Sequence, residues 1–502
     1  MNMLLQSKKL NPLKSHNLFL TALFICIEIF PQNSDSGLES ISGKDLMQNV
    51  NILCSEEFDG RLPGSEGYNK AAEFVAKKFQ QLSLLPAGDE NYFQYLTVEY
   101  NKIDSPVVFK ANTPDEIYSY QLGKDFIFRG FTGSGNIKLP VAFCGYGISR
   151  PDLGYDEYEN IDATDKIVLV FKQNPSWKIS DSAWNNEYPR EKSIIAYKHG
   201  AKGILFVSRP NDHKPQPLIG SVMHGDGEQI LDFPQLQISI DVANNILSGM
   251  DLLLSECQDK IDEKKTPGSF DTSTIVDIKV KTEYEEKATT VNVVGLLEGS
   301  DPGLRNEYLV IGAHLDHVGS QAGLLFPGAN DNASGSAAVI ELAEAFQKSN
   351  TKPRRSILFV LFTSEEQGLF GSKHFVENLK FDSEKIVAML NLDCIGYGDS
   401  IQIGNGKSSP LLWSLARKTD EQNFNLVVED TWSGGGADLT AFNDRGIPGL
   451  YFVSKYSYDH LHLPTDKPET LNTSLYESIV RLTYLVAKDI ADGKYERELV
   501  IK

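Results

Sequence analysis

Histidines and carboxylates stand directly after apolar runs at several places in the second half of the chain. The sets are His314, Asp316 and His317 after YLVIGA, Asp331 within GANDNASG, Glu365 and Glu366 after ILFVLFTS, Asp393 after IVAMLNL, and His460 and His462 beyond GLYFVS. In an open α/β sheet, ligands bind beyond the carboxyl ends of the strands. The pattern therefore predicts that these polar side chains gather at one edge of a sheet.

Such a cluster calls for a cation, because several carboxylates close together would otherwise have to take up protons. Imidazole and carboxylate ligands together suit zinc best, with manganese or cobalt as substitutes. Five ligands are too many for one tetrahedral catalytic zinc that keeps a water. They fit two ions about 3.5–4 Å apart that share one carboxylate.

The adjacent pair Glu365 and Glu366 fits the same picture. Neighbouring residues of an extended strand point to opposite sides. At the end of a strand, one of the two carboxylates can therefore bind a metal while the other takes a proton from the attacking water.

The elements that must position these groups alternate along the chain from Val291. The runs EYLVIGAH, SILFVLFT, KIVAMLNLD and IPGLYFVS are separated by helical segments such as SGSAAVIELAEAFQKS. The strands are continuously apolar, which indicates a sheet covered on both faces. The sequence thus predicts an α/β fold with a mostly parallel mixed sheet flanked by helices.

The same motifs resemble those of the M28 family of di-zinc peptidases, of the aminopeptidase and glutamate-carboxypeptidase type. The motifs are GAHLDHVG, GANDNASGSAAVIELAEAF, FTSEEQGLFGS, NLDCIG and HLPTDKPETL, preceded by EEFDGRLPGSEGYNKAAEFVAKKF. The β-rich residues 138–258, with GYGI and GAKGILFV, resemble a protease-associated (PA) domain. The resemblance implies a peptidase domain in two parts, residues 46–137 and 259–502, interrupted by this PA-like insert.

The resemblance also implies a role for each site residue. His314 and Asp393 would hold one zinc ion, Glu366 and His462 the other, and Asp331 would bridge them. Glu365 would be the general base and then the general acid, and Asp316 would orient the His314 imidazole through its second nitrogen. His317 and His460 are expected to be structural or solvent-facing, although His460 is a rival to His462 as a ligand.

The sequence departs from the family pattern without losing a ligand. Cys394 stands where the family often has Met, Leu461 where Tyr is usual, and the run Gly434 to Phe442 matches a common family segment only at Asp438. These differences concern the shape of the substrate pocket.

Composition and the N-terminus indicate where the protein acts. The formal net charge of −20 argues against nucleic acid as the main partner. Residues 1–30 are predicted to be a signal peptide, because lysines precede a short apolar core from Leu18 to Ile27. Residues 31–45 are predicted to be a linker. We therefore expect export to the periplasm, cell surface or medium, with membrane contact only through an N-terminal anchor.

Together these features predict a zinc-dependent exopeptidase that acts on peptides or proteins, most readily an aminopeptidase. Three alternatives stay open from the sequence. The first is a carboxypeptidase of the same family, which would need arginines such as Arg61, Arg129, Arg150 and Arg209 near the substrate carboxylate. The second is a glutaminyl cyclase with a single zinc, and the third is a binding protein without metals.

Overall fold

The computed structural model of the protein describes residues 35–179, 184, 188–225 and 227–501. The predicted signal peptide, residues 1–30, lies outside the described residues. Of the predicted linker, residues 35–45 are described, and they already form helices. Asp35 caps the first helix by accepting a hydrogen bond from the Gly37 backbone N–H, and it also accepts from the Tyr484 hydroxyl. These contacts attach the stretch to the folded domain.

The strands are numbered in chain order as β1 (Leu85–Pro86), β2 (Phe93–Asn112), β3 (Ile117–Ser119), β4 (Phe126–Phe128), β5 (Gly135–Phe143), β6 (Ser149–Arg150), β7 (Tyr155–Asp156), β8 (Ile167–Phe171), β9 (Gly203–Val207), β10 (Gln235–Ile238), β11 (Phe270–Leu297), β12 (Tyr308–His314), β13 (Ser320–Gln321), β14 (Leu324–Leu325), β15 (Ser356–Phe362), β16 (Ile386–Leu392), β17 (Ile401–Gly404) and β18 (Gly449–Ser454). The α-helices are α1 (Ser36–Ser40), α2 (Gly43–Leu53), α3 (Glu66–Gln81), α4 (Pro189–Lys198), α5 (Ile240–Leu247), α6 (Leu254–Lys264), α7 (Gly335–Lys348), α8 (Phe370–Glu377), α9 (Pro410–Asn423), α10 (Leu439–Asp444) and α11 (Thr473–Ala491).

One large mixed sheet connects most of the strands. Its main order is β17-β18-β16-β12-β15-β11-β5-β8-β9-β10-β4. Within it, β15, β12, β16 and β18 are neighbours and run parallel to one another. The α/β fold with a mixed sheet flanked by helices, predicted from the sequence, is confirmed.

The first core covers both faces of these four parallel strands. On one face, Leu309 and Ile311 of β12 pack with α2, α3, α7 and α11. On the other face, Val310 packs with Phe375 of α8 and Phe442 of α10. Burial on both faces explains why these strands are continuously apolar rather than alternating.

A second core lies around β4, β5, β8, β9 and β10. Its apolar side chains come from Ile103 to Val280, with Phe143, Leu169 and Leu236 among them. This is wider than residues 138–258, because β4, α6 and the first half of β11 also contribute. The likeness of this region to a PA domain stays a prediction. Among the residues described, no helix has the length and apolar composition that a membrane span requires.

Strand β11 joins the two cores. It is 28 residues long, and its first half pairs with β5 while Val293–Leu297 pair with β15. The two regions are therefore parts of one hydrogen-bonded sheet.

Glu341 gives a test of the packing of α7. Its side chain is buried, and one carboxylate oxygen accepts a hydrogen bond from the Ser42 backbone N–H. Burial raises the pKa of Glu341 from 4.5 to about 7. The folded state therefore binds this proton more tightly than the unfolded state, and stability is lost as the pH rises from 4.5 to 7.

We expect Glu341→Gln to remove this loss. Between pH 5 and pH 8, the decrease in the free energy of unfolding should be smaller than in the wild type by about 2 kcal/mol. Thermal denaturation at the two pH values measures the difference, with exposed Glu73→Gln as the control. An unchanged pH dependence in Glu341→Gln would contradict the burial of a neutral carboxyl group.

Candidate metal centre

The four parallel strands bring the predicted ligands to one edge of the sheet. His314 is the last residue of β12, Asp393 follows β16 directly, and Glu366 stands four residues beyond β15. His462 lies in the loop after β18, and Asp331 lies in a short π-helical turn before α7. Parallel strands end at the same edge, so His314 and His462, which are 148 positions apart in the sequence, become neighbours.

One half of the centre contains His314, Asp331 and Asp393. The Nε2 atom of His314 lies 3.3 Å from Oδ1 of Asp331 and 3.3 Å from Oδ1 of Asp393. All three side chains are buried.

The other half contains His462, Glu366 and again Asp331. The Nε2 atom of His462 lies 2.9 Å from Oε2 of Glu366 and 3.1 Å from Oδ2 of Asp331. Asp331 thus offers one carboxylate oxygen to each half. The five residues predicted as ligands are brought together, with Asp331 in the middle.

The sequence contains two further histidines near the predicted ligands, and the structure places them in different surroundings. His317, expected to be structural, lies against the second half, with Nδ1 3.0 Å from Oε1 of Glu366 and 3.6 Å from Oδ2 of Asp331. Its position three residues after His314 is the feature of the sequence that points to a place beside the candidate ligands. His460 instead hydrogen-bonds to Oγ1 of Thr465 at 2.9 Å and belongs to neither group of candidate ligands.

The donor set fits a pair of divalent cations. Burial disfavours the charged form of His314 and of His462, but the neighbouring carboxylates outweigh it and raise both pKa values well above the ordinary value. Without cations, protons on these two imidazoles would have to balance the excess negative charge. Divalent cations would provide that balance with neutral imidazoles as ligands.

Glu365 sits beside this cluster and contributes no ligand atom to either candidate group. Burial, together with the negative charges of Glu366, Asp438 and Asp393, raises its pKa well above the ordinary value, although His314 acts in the opposite direction. A carboxyl group of raised pKa next to the metal ligands can accept and return a proton near neutral pH.

The contacts of the Asp316 side chain differ from the predicted ones. The Nδ1 atom of His314 faces the backbone carbonyl oxygen of Asp316 at 3.1 Å, and the carboxylate is farther away, at 3.8 Å. The carboxylate instead accepts hydrogen bonds from the backbone N–H groups of Glu365 and Glu366, at 3.1 and 3.3 Å. Asp316 therefore holds the turn that carries both glutamates, while its backbone orients the imidazole.

Two more residues that the sequence did not single out hold the ligands in place. The carboxylate of Asp466 is buried and accepts hydrogen bonds from the backbone N–H groups of Asn330 and Asp331, at 2.8 and 3.0 Å. The Tyr451 hydroxyl donates to Oδ2 of Asp393 at 2.9 Å. The signal for Asp466 was its place four residues after His462, within HLPTD.

Arg61 fixes the backbone around the centre. Its side chain is fully buried. The guanidinium donates to backbone carbonyl oxygens of Leu53, Leu315, Pro327 and Gly328, at 2.7 to 2.9 Å. The last three belong to the loops that carry His314 and Asp331. One side chain therefore joins three segments of backbone at the base of the metal centre.

Comparison with known proteins agrees with this geometry. The model of peptidase family M28 matches residues 292–487. This range contains all five predicted ligands and Glu365. Residues 292–487 belong to peptidase family M28.

Similar proteins extend the likeness beyond the M28 segment. An aminopeptidase of Pseudomonas aeruginosa is 25% identical over 364 residues, which is 72% of this chain and 59% of that protein. The chain thus spans less than two thirds of the length of this relative.

Two solved structures share the fold. The aminopeptidase from Aneurinibacillus sp. strain AM-1 superposes with a TM-score of 0.65 at 18% identity, over 93% of this chain and 97% of that one. A zinc aminopeptidase from Bacillus subtilis superposes with a TM-score of 0.62 at 18% identity, over 92% of this chain and 98% of that one.

Arg61→Lys tests how the candidate metal ligands are positioned. Lysine cannot reach four carbonyl oxygens in three segments, so buried acceptors lose their partners at about 1–3 kcal/mol each. We expect a lower melting temperature and a reduced metal content after dialysis. Thermal denaturation and elemental analysis measure both. Arg354→Lys, at an exposed ion pair with Asp301, is the matched control. Wild-type values for Arg61→Lys would refute the positioning role.

Proposed function

We propose that this protein is a zinc-dependent aminopeptidase with two zinc ions in each chain. The observation that supports it most strongly is the position of Asp331, whose two carboxylate oxygens face two different imidazoles. A single-metal site has no need of such a shared carboxylate. His314 and Asp393 would complete one zinc site, and Glu366 and His462 the other, with His317 as a further nearby donor.

Zinc is the metal that this donor set favours, because it combines imidazole nitrogens with carboxylate oxygens. The Bacillus subtilis protein that shares the fold is named a zinc aminopeptidase, and the Pseudomonas aeruginosa relative is named an aminopeptidase. Both names support the same activity for this chain.

Different residues of the chain have different roles in the proposed hydrolysis of a peptide bond. When bound, zinc supplies a Lewis acid that makes water easier to deprotonate and polarises a carbonyl group. Glu365 accepts the proton of the attacking water and returns it to the leaving amine. The Asp316 carboxylate holds the turn of Glu365 and Glu366 by accepting hydrogen bonds from both backbone N–H groups. This turn keeps one glutamate carboxylate in position as a ligand and the other as a base.

The groups beside the centre favour the amino end of a peptide over the carboxyl end. Glu365, Asp316 and Asp438 add carboxyl groups beyond the three ligand carboxylates. A peptide α-ammonium group can donate hydrogen bonds to carboxyl oxygens, whereas a peptide carboxylate would need cationic side chains. Three of the four arginines considered for a carboxylate pocket are engaged elsewhere: Arg61 with carbonyl oxygens, Arg150 with Asp152 and Arg209 with Asp212.

Export remains a prediction that rests on residues 1–30 of the sequence. The expected partners are peptides or proteins presented outside the cytoplasm.

A substrate with a free amine should be required. We expect hydrolysis of aminoacyl-p-nitroanilides and none of the matching N-acetylated compounds, because only the free amine can form an ammonium group that donates hydrogen bonds to the carboxyl groups beside the centre. A spectrophotometric assay of both series at equal concentration measures the ratio. Equal hydrolysis of the two series would refute the aminopeptidase, and release of C-terminal residues from acetylated peptides would identify a carboxypeptidase instead.

Glu365→Gln should separate metal binding from proton transfer. We expect about two zinc ions per chain in both proteins and a turnover that falls by roughly 10²–10⁴-fold in the variant, because only the proton acceptor is lost. Elemental analysis and steady-state kinetics measure the two quantities. Exposed Glu377→Gln, at an ion pair with Arg445, is the control. Undiminished turnover would reject the role of Glu365, one ion would favour a cyclase-like site, and no ion would favour a binding protein.

A further inference from the structure

Two buried basic side chains near the second core, Arg129 after β4 and Lys172 after β8, have no carboxylate beside them. Their exposed fractions are 6% and 9%. Among the described residues, no acidic side chain lies within ion-pairing distance of either one. Their partners are neutral amides: Oε1 of Gln237 accepts from both cations at 3.1 Å, and Oε1 of Gln216 accepts from Lys172 at 2.7 Å. An unpaired buried charge is costly, and two together cost more.

The other buried arginines of the described residues show how this chain usually balances such a charge. Arg190 pairs with Glu99 at 2.8 Å, and Arg355 pairs with Glu307 at 2.7 Å. Arg61 has its four backbone carbonyl oxygens. Among the described residues, by contrast, Arg129 has neither a carboxylate partner nor a set of backbone carbonyl oxygens around its guanidinium.

Hydrogen-bond donors remain available at the two cations. The Nε atom of Arg129 is buried without a hydrogen-bond partner, and the guanidinium lies over the Phe131 ring at 5.6 Å from its centroid. Lys172 uses its ammonium group on two amide oxygens, which leaves one N–H. Burial and the charge of Arg129 lower the pKa of Lys172 well below its ordinary value. An anion between the two would both accept these donors and stabilise the charged lysine.

We propose that Arg129 and Lys172 together bind a small monovalent inorganic anion of the halide class. Both cations contact one oxygen atom, Oε1 of Gln237, so a single small ion can reach both. A spherical ion needs few donors and no fixed orientation, which suits the few donors that remain.

The anion site adjoins the segment that contacts the metal centre. Gln237 donates to the Pro217 carbonyl oxygen at 2.9 Å, and the Gly220 backbone N–H donates to the His462 carbonyl oxygen at 2.8 Å. Residues 216–220 thus run from the cation pair to a proposed zinc ligand. The inference itself rests on Arg129, Lys172 and their amide partners alone and holds whether or not the protein is a peptidase.

Bromide soaking locates the ion directly. Crystals of the full chain, grown without chloride and soaked in sodium bromide, should show an anomalous peak between Arg129 and Lys172. A peak there supports the proposal. Bromide that binds only at the protein surface, or no peak at all, would overturn it.

Thermal denaturation in solution gives a second readout. At constant ionic strength, replacement of gluconate by chloride should raise the melting temperature saturably by roughly 3 °C in the wild type. Lys172→Met should abolish the saturable part, and Lys202→Met, at an exposed lysine of the same region, should retain it. Arg129→Gln serves the same purpose if Lys172→Met does not fold.

The alternatives give distinct outcomes in the same titration. A wild type without a saturable chloride effect, or a Lys172→Met protein that keeps it, would refute the anion site. Saturable stabilisation by N-acetylglycine but not by chloride would also refute the halide and would indicate a peptide carboxylate as the ligand.

Discussion

The two oxygens of the Asp331 carboxylate face two imidazoles that come from distant parts of the chain. This arrangement requires the backbone before α7 to be held firmly, and the structure does so from two sides. Asp466 accepts hydrogen bonds from the Asn330 and Asp331 N–H groups, and Arg61 binds carbonyl oxygens of Pro327 and Gly328. A carboxylate and a guanidinium that belong to neither group of candidate ligands thus determine where the Asp331 carboxylate lies.

The glutamate pair is likewise positioned by a residue outside the candidate ligand groups. Glu365 and Glu366 are adjacent in sequence but have opposite tasks in the proposed reaction, one as base and one as ligand. Their separation depends on a turn whose two N–H groups both bind the Asp316 carboxylate. The role predicted for Asp316 toward His314 falls to its backbone carbonyl oxygen, because the side chain is engaged by this turn.

Charge is distributed unevenly between the two cores. At the edge of the first core, carboxylates outnumber the imidazoles and call for cations. Near the second core, Arg129 and Lys172 are buried basic side chains whose side-chain hydrogen-bond partners are neutral amides. The segment of residues 216–220 contacts both sites, since Gln216 binds Lys172 and Gly220 binds the His462 backbone.

The sequence by itself determined the four parallel strands, helices such as α7 and the five ligand candidates, because continuous apolar runs and motif spacing are local properties of the chain. The family resemblance also predicted Asp331 as the bridging residue. Only the tertiary structure decided the roles of His317, Asp316, Asp466 and Arg61, and the pairing of Arg129 with Lys172. These depend on contacts between segments that lie far apart in sequence, and no local pattern encodes which backbone oxygen or which amide a buried side chain will meet.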